Sequence, residues 1–478
     1  MLLKLLCLLL AFVCVRTIEK LDGSSWIGAA IGSELIRVLV HATLFGLVYL
    51  LTWRAMTSFV VTIVALGCLS GANAIKKRVV FEPIVFSDLA LLGQIVRHPK
   101  LYFLDNLPMA IASVAAVGVS LGVAMALEPA IPPALLPYGL GTIAWGILLC
   151  RKTAVRQKFS SWLLSEKLGW GSTRLGLLTA LVLQFICWLD WRRFPQAEGT
   201  MAVLETPPAT DMIVVQLESF VDLAPHIAGH TSIWRELQQR SQLHGKLLVP
   251  ARGANTMRTE HAVLTGLDNA ALQFDRFDPY LRRGEYARAF PAMLGQHGWT
   301  STFIHPNDLS FFRRDRALPD LGFDRLVGGD AFANDQQFGP YVWDAAVMRK
   351  IVAATQATTG PHFIFAVTME NHGPWKQGRL PDVPAGLPSY LAHQRNTDAA
   401  LAYLLDFVLT TPRRTILVLY GDHAPALDNL PSSIDPYLTD YVIIDSAADR
   451  PSVRQDLSAE EILPAAFKVN QGDVDTQV

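Results

Sequence analysis

Uninterrupted apolar runs dominate the first 190 residues of this chain, whereas beyond residue 210 short β-branched runs alternate with longer amphipathic segments. Runs at 34–53, 57–75, 107–127, 135–150 and 174–190 are long enough, or nearly so, to cross a hydrocarbon core of about 30 Å. A shorter run at 2–15 resembles a signal h-region, but no small-residue cleavage site precedes Arg16, so it reads as an uncleaved segment. The pattern predicts about five membrane helices, six if residues 2–15 also span.

Past residue 210 the period changes. Strands are expected at 212–217, 246–249, 300–304, 363–368, 415–420 and 441–444, each nearly continuous in apolar character, as strands covered on both faces must be. Helical patterns lie at 232–243, 343–357, 395–409 and 459–467. This alternation predicts an α/β domain with a mostly parallel sheet. Residues 191–210, with Arg192, Arg193, Pro195, Pro207 and Pro208 and no apolar period, read as a linker at the membrane surface. The expected organisation is thus a membrane region over 1–190, a linker over 191–210 and a catalytic domain over 211–478.

Charge sets the orientation. Lys76, Lys77, Arg78, Arg97 and Lys100 follow the 57–75 run, and Arg151, Lys152, Arg156, Lys158, Lys167 and Arg174 precede the last run, while 128–135 carries no basic residue. Basic loops stay cytoplasmic, so the last helix runs outward and everything after Asp190 is expected outside the cytoplasm. The composition agrees with a membrane protein: 51% hydrophobic, 17% charged, mean hydropathy +0.28. A net charge of −1 offers no basic field for a phosphate backbone, which argues against nucleic acid as a partner. All five cysteines precede residue 190, which excludes a disulfide framework or a cysteine-ligated metal in the C-terminal part.

In open α/β sheets ligands gather outside the carboxyl ends of strands. Glu218 follows the first strand, His305 the third, Glu370-Asn371-His372 the fourth and Gly421-Asp422-His423 the fifth. Each alone is most often a cap or turn residue; together they supply carboxylates and an imidazole suited to Mn, Zn or Mg. A hydroxyl nucleophile is available from Thr256 or Thr259, in the loop after 246–249 at the start of a helical pattern, where backbone N–H groups favour an anion. Thr259 reads as the helix cap, supported by Glu260.

These residues resemble the lipoteichoic acid synthase and phosphoglycerol transferase group of the alkaline phosphatase and sulfatase superfamily. The resemblance is carried by Val214-Val215-Gln216-Leu217-Glu218-Ser219-Phe220, by Asn255-Thr256-Met257-Arg258-Thr259-Glu260 leading into Leu264-Thr265-Gly266-Leu267, by Thr368-Met369-Glu370-Asn371-His372-Gly373-Pro374-Trp375 and by Tyr420-Gly421-Asp422-His423. It covers the whole C-terminal part, and that group also carries about five membrane helices before its catalytic domain. The stretch 78–89, with Glu82-Pro83 and Ser87-Asp88-Leu89, resembles the group's loop before the later helices.

The resemblance implies a sulfatase-like fold, Thr256 as nucleophile, and Glu218, Thr256, Asp422 and His423 as ligands of one divalent ion, manganese first, with zinc and magnesium as alternatives. It places His305, Arg314 and His372 at the substrate. It further implies transfer of phosphoglycerol from phosphatidylglycerol to a hydroxyl of an envelope glycan, polymer or glycolipid. Rival readings keep the site for phosphoethanolamine transfer or hydrolysis, or make the chain a silent binding protein. Phe312 stands where the group often has tryptophan, and nothing around Thr256 matches the Cys/Ser-x-Pro-x-Arg context of sulfatases proper.

Overall fold

A computed structural model describes residues 13–20, 31–80, 82–88, scattered positions between 115 and 128, 175–191, 210–281, 288–332 and 337–471. The chain divides into two compact units, 1–195 and 196–478. The runs at 2–12 and 135–150, and most of 107–127, lie outside the described residues.

In the first unit α1 (Ile31–Thr52), α2 (Ala55–Val80) and α3 (Leu177–Trp191) are apolar helices. Among the described residues two segments, Glu34–Thr52 and Ala55–Arg78, are long and apolar enough to cross a membrane. The third helix has 15 residues, about 22 Å at 1.5 Å per residue, and Gly176 just before it lies in the left-handed region (φ 77°). That glycine packs against Glu19, whose carboxylate a Cβ would overlap at 1.8 Å. Arg37, buried on α1, pairs with Glu19 at 3.3 Å and donates to the Leu175 carbonyl at 3.0 Å. Lys76, Lys77 and Arg78 are not in a loop: α2 continues through them to Val80. The stretch after α2 folds back on it, with Lys76 Nζ donating to Asp88 at 2.6 Å and the Ile84 N–H to Asn73 at 2.8 Å.

The second unit is built on a nine-stranded sheet. Its strands are β1 (Asp211–Leu217), β2 (Leu243–Leu248), β3 (Thr300–Ile304), β4 (Arg325–Val327), β7 (His362–Val367), β8 (Thr415–Gly421), β9 (Leu438–Asp445), β10 (Val453–Arg454) and β11 (Leu457–Ser458). The order is β10-β2-β9-β8-β1-β7-β3-β4, with β11 also beside β2; β5 (Gln337–Phe338) and β6 (Tyr341–Val342) form a separate hairpin. From β8 to β4 every pairing is parallel, and β9 alone runs antiparallel to both its neighbours, β8 and β2.

Alternation along the strands sends side chains to two covered faces. Ile213, Val215, Ile364, Leu417 and Leu419 pack with Val347 and Ile351 of α8 (Asp344–Gln356) and with Leu401, Leu404 and Val408 of α9 (Leu387–Thr410). Phe363 and Phe365 point the other way. Phe290 of α6 (Phe290–Gln296) meets Phe363 at 5.2 Å between ring centroids and Phe467 of α10 (Ile462–Gln471) at 4.8 Å. Each such buried side chain contributes about 1.5–3 kcal/mol relative to exposure. Further helices of this unit are α4 (Trp234–Arg240), α5 (Thr256–Thr265) and α7 (Arg314–Asp320).

Candidate active site

The four central strands β8, β1, β7 and β3 are mutually parallel, so their carboxyl ends form one edge, and the register pairs Leu217 with Gly421, Gln216 with Val367 and Ile304 with Ala366. Glu218, Asp422, Thr368 and His305 therefore leave the sheet at one level. Two local features hold the turns together. Ser219 adopts a positive φ of 52° and its carbonyl accepts from Tyr390 at 2.8 Å. Gly421 has no room for a side chain, since a Cβ would lie 2.1 Å from the Phe220 carbonyl oxygen.

Thr256 opens α5 directly after Asn255, a left-handed residue at φ 67°. Its hydroxyl reaches Glu218 Oε2 at 3.3 Å. The helix begins at Thr256, three residues before Thr259, with Asn255 at its cap position, so the expected cap role of Thr259 is incorrect. Thr259 lies inside the helix, where its hydroxyl donates to the Asp422 carbonyl at 2.7 Å. Glu260 does not close a capping box either; it faces Arg314.

Glu218, Asp422 and His423 offer ligand atoms within 4.8 Å of one another, all buried. His423 Nε2 lies 3.2 Å from Asp422 Oδ2 and 3.7 Å from Glu218 Oε1. Its Nδ1 must carry the proton, because it donates to the Ala424 carbonyl at 3.1 Å, and this turns Nε2 toward the carboxylates. The Ser219 and His423 N–H groups both donate to Asp422 Oδ1, at 2.7 and 2.8 Å. Oδ2 accepts no hydrogen bond among the described residues. Burial first, and then the charge of Glu218, push the Asp422 carboxyl up from its ordinary range. Two buried carboxylates with one unsatisfied oxygen and an oriented imidazole fit a divalent cation, which would neutralise the repulsion between them.

Beside this set Arg314, 1% exposed, lies against fully buried Glu260, with Nε–Oε1 at 3.1 Å and Nη2–Oε2 at 2.9 Å. Tyr280 donates to the same carboxylate. Arg314 Nη1 donates to His305 Nε2 at 3.2 Å, and His305 Nδ1 donates to the Val367 carbonyl at 3.2 Å. Both nitrogens of His305 are thus engaged within the protein. Burial, followed by the Arg314 charge, holds its pKa well below 6.5, so it stays neutral. The Arg314 guanidinium lies 5.4 Å from the Phe312 ring centroid. His372 is half-buried; its Nδ1 donates to the Gly373 carbonyl at 2.7 Å and lies 3.2 Å from the Tyr341 hydroxyl. The charge of Glu218 acts on Arg314, Tyr341 and Arg379, and that of His372 on His305. Thr256, Glu218, Asp422 and His423 thus meet in one cluster, His305 and Arg314 form a second beyond the end of β3, and His372 stands in the loop after β7.

Four others were not legible. Glu260 was read as a helix-start residue, and Tyr341 sits on a two-residue strand with no periodic signal. Arg379 and Asp344 meet the loop after β7 only through tertiary contacts.

The sulfatase family model matches residues 210–470. The capsular polysaccharide biosynthesis protein RkpI of Rhizobium meliloti is 30% identical over 455 residues, covering 90% of this chain and 84% of the relative. Lipoteichoic acid synthase 1 of Bacillus subtilis is 22% identical over 201 residues, 38% of this chain and 31% of the relative. Among solved structures, the integral membrane lipooligosaccharide phosphoethanolamine transferase A of Neisseria meningitidis superposes with a TM-score of 0.50 at 13% identity, over 95% of this chain and 96% of that one. This likeness extends over both units and is one of fold.

Proposed function

Because the chain belongs to the sulfatase family, we propose that it is a membrane-bound phosphotransferase, which transfers phosphoglycerol from phosphatidylglycerol through a covalent Thr256 intermediate to a hydroxyl of an envelope glycan, polymer or glycolipid. The observation that carries the reading is the meeting of Thr256 with Glu218, Asp422 and His423 at the edge where Arg314 and His372 also arrive.

Glu218, Thr256, Asp422 and His423 would hold a divalent ion, manganese first, which when bound would stabilise an alkoxide and polarise a phosphoryl oxygen. The protein does the rest. Thr256 Oγ1 attacks phosphorus; the Oγ1–P bond forms as the bond from phosphorus to the diacylglycerol oxygen breaks, and diacylglycerol leaves as the alcohol. An acceptor hydroxyl then attacks phosphorus and Thr256 is released. Arg314, aimed by Glu260 and His305, binds a phosphate oxygen through its remaining N–H groups. His372, with Nδ1–H committed to Gly373, offers Nε2 to the head group or to the proton of the alcohol. The capsular relative supports an envelope glycan as acceptor. The catalytic unit lies outside the cytoplasm after a multi-pass membrane region, as the basic residues argue, and attachment to the membrane raises the effective concentration of a lipid donor.

The test is a mass spectrum of the detergent-solubilised full chain after exposure to phosphatidylglycerol or phosphatidylethanolamine. A glycerophosphate increment on Thr256 is expected only with the first donor, and none with Thr256→Ala. An ethanolamine phosphate increment overturns the donor, and turnover by Thr256→Ala at the original rate overturns the nucleophile. Free glycerol phosphate without acceptor modification makes the protein a hydrolase.

A further inference from the structure

A second polar cluster lies behind the site and has no part in the chemistry above. Fully buried Glu370 leaves the end of β7 and points into the protein: its Oε2 accepts from the Asp344 N–H at the start of α8 at 2.9 Å, and its Oε1 from Asn396 on α9 at 2.8 Å. His393, also on α9 and fully buried, donates from Nδ1 to Glu370 Oε1 at 3.2 Å and accepts at Nε2 from Arg379 Nε at 2.8 Å. The other end of that guanidinium turns back on the loop after β7. Arg379 Nη2 donates to the Glu370 carbonyl at 2.9 Å, and Nη1 to the carbonyls of His372 and Pro374 at 2.7 and 3.1 Å. Its flat face lies 5.4 Å from the centroid of Tyr341, whose hydroxyl is the one near His372 Nδ1.

Four of five guanidinium hydrogens are therefore used to grip alternate carbonyls of one short loop and to tether that loop, through His393, to α9. Only a planar fork satisfies such a set; an ammonium offers one centre. The loop carries His372, whose Nδ1 is engaged by Gly373 and Tyr341 and whose Nε2 makes no hydrogen bond among the described residues.

We propose that Arg379 is a positioning residue for the transfer reaction, gripping the 370–374 backbone so that His372 presents Nε2 to the substrate, and acting through His372 alone. This rests on the transferase reading above. A loop relaxed by about 1 Å is enough to lower a rate by about 100-fold.

The experiment measures single-turnover formation of the Thr256 adduct in the full-length chain for Arg379→Ala, Arg379→Lys, Tyr341→Phe and His372→Ala, and for each of the first three combined with His372→Ala. Arg379→Ala is expected to slow adduct formation about 10- to 100-fold, with metal content unchanged because the ligands hang from other strand ends. Arg379→Lys keeps the charge and should fail nearly as badly; Tyr341→Phe should lose a few-fold. In the His372→Ala background each of these losses should vanish, since groups acting as a unit are not additive. Arg379 variants within twofold of the wild type overturn the inference, as do losses that persist in full without His372, which instead place Arg379 on the phosphate. Should Arg379→Ala not fold, Arg379→Lys and Tyr341→Phe carry the same decision. A wild-type chain that forms no adduct is the separate failure of the transferase reading and removes this inference with it.

Discussion

Replacing Glu260 with glutamine subtracts one charge and almost no volume from a place where the opposite charge cannot leave. Arg314 is 1% exposed, its Nε and Nη2 both lie within 3.2 Å of the Glu260 carboxylate, and Nη1 is already donating to His305. The variant therefore holds a buried guanidinium with a neutral partner. Removing one member of a buried ion pair destabilises by about 3–5 kcal/mol. Glu218 also acts favourably on Arg314, which places the expectation near the lower figure. At about 2–4 °C per kcal/mol for a domain of this size, the thermal midpoint of the catalytic unit should fall by about 6–12 °C. The assay is thermal unfolding of the full chain in detergent, followed by tryptophan fluorescence, for Glu260→Gln, Arg314→Gln and the double variant. Each single change leaves a charge buried without its partner, whereas the double change leaves none. The double variant should therefore be at least about 2 kcal/mol more stable than the sum of the singles predicts. Additivity within about 0.5 kcal/mol, or a Glu260→Gln midpoint equal to that of the wild type, refutes the pairing.

Two further expectations concern the strand edge and the cluster behind it. Gly421→Ala places a Cβ 2.1 Å from the Phe220 carbonyl and must displace the turn bearing Asp422 and His423. Metal content, measured by mass spectrometry on the purified chain, should drop well below the wild-type level, and full occupancy would show that the turn tolerates the shift. Asp344 is fully buried, and its carboxyl is raised by burial first and by the charge of Glu370 second. A folded-state pKa above the unfolded value means stability present below about pH 4 and lost as pH rises toward 8, by up to about 1.4 kcal/mol per unit. Asp344→Asn should thus gain on the wild type as pH increases through that window in denaturant titrations; a difference that does not change with pH contradicts the assignment.

Strand ends were readable from the chain because a strand covered on both faces is one apolar run, and the first polar residue after it marks the edge. Glu218, His305, Asp422 and His423 were found that way. Helix starts were less readable. The long helix α9 begins at Leu387, eight residues before the expected Arg395, although Gly386 followed by Leu387-Pro388 is a start signal of the usual kind. The Thr259 reading failed because a left-handed Asn255 is invisible to periodicity and shifts the helix start by a full turn. Glu260, Tyr341 and Arg379 were missed for a different reason. Their partners are 54, 31 and 14 residues away in sequence, and neither local propensity nor apolar spacing carries information about such meetings.

The hydroxyl of Thr259 on the Asp422 carbonyl joins the helix that begins with Thr256 to the turn that bears Asp422 and His423. The proposed nucleophile and the proposed ligands therefore travel as one piece, and neither can be retuned by evolution without disturbing the other. Divergence toward new donors or acceptors has to be sought in parts that border this weld without belonging to it: the small Gln337–Val342 hairpin with Tyr341, and the aromatic at position 312.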